Sequence, residues 1–90
     1  MHHLHLLIHG RVQGVGFRYF VLREASALGL AGSVRNVPEG SVEVVAEGRR
    51  EALERLLEAV QRGPLGAEVL SVEVDWSEGP RRFDAFRVRP

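Results

Sequence analysis

Strand periodicity at residues 4–12, 33–37, 41–46 and 67–76, helical periodicity at 17–28 and 49–62, and turn chemistry at Pro38-Glu39-Gly40 predict an α+β fold. The predicted order is strand, helix, strand, strand, helix, strand. Two helices cannot cover both faces of such a sheet. The simplest burial packs both on one face of an antiparallel sheet. That is the ferredoxin-like, split βαβ architecture, βαββαβ plus a short last strand.

Each element has its own warrant. Residues 4–12 put Leu4, Leu6, Ile8 and Val12 on one face and His3, His5, Leu7, His9 and Arg11 on the other. A Gly-rich turn, Gly10 to Gly16, follows. Residues 17–28 align Phe17, Val21, Ala25 and Leu28 on one stripe, and Gly29 suits a helix C-cap. Ser33 to Val37 and Ser41 to Ala46 are strands joined by Pro38-Glu39-Gly40. The clearest helix is 49–62, with Leu53, Leu56, Leu57 and Val60 as core. Glu51 and Arg55, and Glu58 and Arg62, stand i,i+4 in the favourable order, and Gly63-Pro64 stops the helix. Residues 67–76 set Val69, Ser71, Glu73 and Asp75 against Leu70, Val72, Val74 and Trp76. Phe83 to Val88 adds the last strand after the turn at Glu78-Gly79-Pro80.

Ninety residues allow one small domain, 1–90, and no linker, repeat or low-complexity tract divides it. With 44% apolar and 27% charged residues the chain can bury a core, which excludes disorder. Zero cysteines exclude disulfide frameworks, Cys-based zinc sites and thiol catalysis. No apolar run approaches the roughly 18 residues that span a bilayer. The N-terminus lacks a cationic start and a small-residue cleavage site, so a cytoplasmic protein with no membrane contact is expected. Formal net charge is zero, but unevenly placed. Residues 1–23 hold Arg11, Arg18 and Arg23 with no acid, whereas 39–78 hold ten acids against four arginines. A local anion site suits this pattern better than a nucleic-acid track.

The chemistry concentrates in Gly10-Arg11-Val12-Gln13-Gly14-Val15-Gly16-Phe17-Arg18, between a strand and a helix. Gly14 and Gly16 permit positive φ, so successive N–H groups can form an anion-binding nest. The helix start adds its dipole and unpaired amides. Arg18, in the first turn, offers a planar fork matched to phosphate oxygens. Taken alone, a Gly-rich turn is also compatible with a plain tight connection. A phosphate loop of the Walker type needs a Lys, and the chain has none. A dinucleotide fingerprint would need a small residue where Tyr19 stands. The second element is Asn36, the only Asn, just before the hairpin turn. Spacing leaves it equally a turn former or a group that holds a water with one donor and one acceptor.

The loop motif at 10–18, together with Val34-Arg35-Asn36 followed by Glu39-Gly40, resembles the acylphosphatase family. The similarity runs on through the second helix to Phe86-Arg87-Val88. It implies hydrolysis of the carboxyl–phosphate bond of small-molecule acyl phosphates, without metal or cofactor. It implies that Arg18 binds the phosphate, that Asn36 orients the water, and that the loop amides of Gln13, Gly14, Val15, Gly16 and Phe17 hold the substrate. Ser33, often aromatic in relatives, and Glu39, often Asp, depart from the pattern without touching those groups. A monomer is expected.

Other residues invite blander readings. His3, His5 and His9 share a strand face, but no carboxylate close in sequence completes a metal site. Arg11 supports the local field at most, and Arg81-Arg82 is a solvated turn. Tyr19 is rotated about 100° from Arg18 and is expected to point away from the loop. Two rival functions remain. A non-catalytic phosphate- or carbamoyl-phosphate-binding module would sit at the front of a longer protein, and the chain's end at Pro90 without a cysteine-rich extension favours the free enzyme. An RNA-binding domain would need basic and aromatic residues on the central strands, where Val42 to Gly48 is acidic and lacks aromatics.

Overall fold

Alternation along the first strand decides which face of the sheet is covered. The computed structural model, which describes residues 1–90, places β1 at His2–Arg11, α1 at Phe17–Ala27, β2 at Ala31–Asn36, β3 at Val42–Gly48, α2 at Arg50–Arg62, β4 at Glu68–Glu78 and β5 at Phe86–Val88. Leu4, Leu6 and Ile8 of β1 are buried with Val42, Val44 and Ala46 of β3 and Val34 of β2. Against them pack Phe17, Val21 and Ala25 of α1 and Leu53, Leu56 and Val60 of α2. Burying each of the larger side chains contributes about 1.5–3 kcal/mol.

The sheet order is β4-β1-β3-β2-β5. The four long strands pair antiparallel, as expected. The last strand departs from the expected pattern: β5 runs parallel to β2, with Gly32 opposite Phe86. Residues 79–85 carry the chain from one edge of the sheet to the other, and it arrives in the direction of β2. This crossing is held by polar groups. The carboxylate of Glu47 on β3, 1% exposed, accepts from the N–H of Arg82 at 2.9 Å and of Phe83 at 3.1 Å. The His3 ring nitrogen Nε2 lies 3.1 Å from the Pro80 carbonyl.

Strand period fails at one place. His9 faces Ser71 and Gly10 faces Val69, so Leu70 has no partner in β1. This bulge turns Val69 onto the core and leaves Leu70 72% exposed, which reverses the alternation expected at that end of β4. Gly10 has φ +132°, and a Cβ there would strike the Glu68 carbonyl and the Leu70 amide.

On the open face, neighbouring strands supply the carboxylates that local sequence did not. His5 meets Glu43 at 2.8 Å and His9 meets Glu73 at 2.5 Å, while His3 lies 3.6 Å from Glu47 where the crossing at 79–85 buries both. Each histidine thus has a different acidic neighbour. Glu43 also accepts from Arg35 Nε at 2.6 Å. The bonds from His5 and then Arg35 hold its carboxyl below the ordinary value of 4.5.

Three outcomes follow. Gly10→Ala should cost about 2–3 kcal/mol, lowering Tm by about 10 °C or more in thermal melts, because backbone must move. Gly14→Ala, with φ +75° but open space around a Cβ, should cost only the left-handed strain of about 1–2 kcal/mol. A carboxyl with a depressed folded value stabilises above its unfolded value and loses that contribution as pH falls through the folded one. Urea melts of Glu43→Gln should therefore show a deficit near pH 6 that disappears below the depressed value.

Candidate active site

Residues 12–16 lead from the end of β1 into α1. Gly14 and Gly16 sit at φ +75° and +78°, a region that costs other L residues about 1–2 kcal/mol. Gly16 is the N-cap of α1 and makes no side-chain cap bond. A Ser, Thr or Asp there would take one of the first helical amides for itself. No acid stands in the first turn. The main-chain N–H groups from Gln13 through Tyr19 consequently meet no acceptor in the protein.

Arg18 is the second residue of α1, where a cation opposes the helix dipole. Its guanidinium makes no ion pair with any carboxylate. One nitrogen donates to the Arg89 carbonyl just past β5, at 3.0 Å. That bond to a neutral acceptor steadies the fork and leaves its charge uncompensated. Asn36 ends β2, opposite Val42. By period 2 it shares the helix-bearing face with buried Val34. Its side-chain amide bonds to no protein group.

These groups meet around a cavity of about 240 Å³ lined by Val12, Gly14, Gly16, Phe17, Arg18, Tyr19 and Asn36. Five of the seven residues expected at the site, Gly14, Gly16, Phe17, Arg18 and Asn36, line it. Gln13 and Val15 do not line it. The Gln13 side chain turns to the hairpin, and Val15 packs against the core. Tyr19, expected to point away, is on the wall. The cavity surrounds the open helix end rather than one helical face, so residues about 100° apart both reach it. The Arg89 carbonyl was not legible in the sequence either, because only the seating of β5 brings it near. A wider depression of about 470 Å³ lies between Ala27, Leu28 and the start of α2. No glycine lines it, and Glu51 in the first turn of α2 places a carboxylate at that helix end, where an anion would be repelled.

The cavity thus gathers main-chain amides, a guanidinium paired with no carboxylate and an unbonded carboxamide; comparison with known proteins identifies the family. The acylphosphatase family model matches residues 4–88. The chain belongs to the acylphosphatase family. A curated acylphosphatase of Salinibacter ruber is 55% identical over 82 residues, covering 91% of this chain and 86% of that protein. The crystal structure of acylphosphatase from Bacillus subtilis superposes with TM-score 0.97 at 40% identity, over 100% of both chains. The crystal structure of HypF from T. kodakarensis matches at TM-score 0.86 and 32% identity, covering 99% of this chain but 12% of that one. Acylphosphatase relatives and a segment of a much longer protein thus share this scaffold.

Arg18 is the one arginine that lines this cavity, and its charge is paired with no carboxylate. Arg18→Ala should weaken binding of inorganic phosphate at least about 30-fold in calorimetric titration, as expected for loss of a charge-assisted bidentate contact. Arg18→Lys should recover little of that, because a point charge does not reproduce two parallel N–H bonds.

Proposed function

We propose that this chain, an acyl phosphate hydrolase by family, binds the phosphoryl group in the Gln13–Phe17 loop amides and with Arg18, while Asn36 aims the attacking water. The observation that carries this reading is the convergence of unpaired amides, Arg18 and Asn36 on one cavity.

The chemistry asks little of side-chain acids or nucleophiles. A carboxylate is a good leaving group, its conjugate acid having a pKa of about 4. The water oxygen attacks phosphorus as the bond from phosphorus to the acyl oxygen breaks. The carboxylate departs with the bonding pair, and a phosphate oxygen of the substrate takes the water's proton. Negative charge on the phosphoryl oxygens is spread over fixed main-chain donors and the guanidinium, which need no reorganisation as the reaction proceeds. The Asn36 carbonyl accepts one water hydrogen, and its NH₂ donates to the water or to a phosphoryl oxygen. Positioning then supplies most of the remaining acceleration. No step is assigned to a metal ion.

A spectrophotometric assay with an aryl acyl phosphate tests the reading, and turnover should be unchanged by a chelator. A folded chain that binds phosphate without turnover would instead be a binding module. Asn36→Ala should lower kcat by about 10²–10³-fold, the scale of losing one preorganised contact to the reacting atoms. Its dissociation constant for inorganic phosphate should stay within about threefold of the parent, and parallel losses would contradict water orientation.

A further inference from the structure

We propose that Gln13 acts in this site through its side chain, as a positioning residue that sets the gap between the phosphate cradle and Asn36; this rests on the reading of the site just given. The Gln13 side-chain NH₂ donates to the Val37 carbonyl at 2.8 Å and to the Ser41 carbonyl at 2.9 Å. Both N–H groups are thereby used. Val37 follows Asn36 in the chain, and Ser41 precedes Val42, the ladder partner of Asn36.

These bonds do not rescue orphaned carbonyls. The Ser41 carbonyl already accepts from the Val37 N–H at 2.8 Å, and the Val37 carbonyl from the Gly40 N–H at 2.9 Å. The hairpin closes without Gln13. What Gln13 adds is a fastening between two elements that the sheet does not join at this level. β1 and β2 are separated by β3. The last pairing between β1 and β3 is Ile8 with Val42, and from His9 to Arg11 β1 pairs only with β4. Beyond that point no main-chain bond ties the loop to the strand that carries Asn36. Side chains span the opening. Gln13 does so directly from the loop, and the Ser41 hydroxyl meets His9 Nδ1 at 2.8 Å.

The loop and Asn36 have to address the same phosphorus from two sides. A misplacement of about 1 Å between them can cost about 10²-fold in rate. Gln13 therefore governs kcat through Asn36 without contacting the substrate by its side chain. Its main-chain N–H, a separate group, survives every substitution below.

The test is Gln13→Met, which keeps side-chain length and removes both donors. Turnover of an aryl acyl phosphate, Kd for inorganic phosphate and Tm are measured on parent and variant. The expected result is a kcat lower by about 10- to 100-fold with phosphate Kd changed less than about threefold. Should Gln13→Met fail to fold, Gln13→Glu carries the test. Ionised, its carboxylate repels the two carbonyls; protonated, it donates one hydrogen bond. Its kcat relative to the parent should rise as pH is lowered through the carboxyl titration, a signature that a purely stabilising role does not produce. A folded Gln13→Met with parental kcat, a Gln13→Glu profile parallel to the parent, or equal losses in kcat and phosphate affinity overturns the proposal. Absence of turnover in the parent itself overturns the hydrolase reading along with it.

Discussion

A run of main-chain amides without acceptors is the constraint around which this molecule is arranged. Unpaired donors are unfavourable unless they stay open to water or meet an anion. The chain keeps them open in three ways. Gly16 caps the helix without a side chain, the first turn carries no acid, and Gly14 and Gly16 take up the positive φ that the turn requires. A stronger cap or an acidic first turn would stabilise α1 and close the cradle. Arg18 stands where the helix dipole disfavours a cation, so local helix stability is again set aside, as the proposed phosphate site requires.

The remainder of the fold holds that cradle against two partners from far along the chain. β3, paired to β1 on one side and β2 on the other, brings Asn36 within reach of the loop. The crossing at 79–85 brings β5 beside β2 and the Arg89 carbonyl to Arg18. Glu47 anchors the crossing from within the sheet. A buried carboxylate is tolerable there because backbone N–H groups satisfy it. The site thus depends on polar contacts of high sequence separation laid over an apolar core of alternating strand residues.

Most of the architecture was legible because one-dimensional periodicity maps directly onto faces. Leu4, Leu6 and Ile8 read as one buried face and are one, and the α2 stripe is equally plain. Legibility failed where a pair of strands, rather than one strand, sets the geometry. The Leu70 bulge depends on Gly10 approaching the Glu68 carbonyl across the ladder. Carboxylates beside His5 and His9 come from β3 and β4, so local spacing could not show them. Tyr19 was misplaced because a helix end presents its whole rim, not one stripe.

What the amino-acid order alone determined is the local chemistry on offer: glycines that admit positive φ, a helix start with no acid beside it, and an arginine in its first turn. Those are local properties, set by covalent geometry and by neighbours a few residues apart. The tertiary structure decided the relation between parts. It chose the parallel seat of β5, the tie from Gln13 to Val37 and Ser41, and the meeting of Asn36 with the loop. Such distances follow from how the sheet pairs and how the core packs, and no run of consecutive residues encodes them by itself.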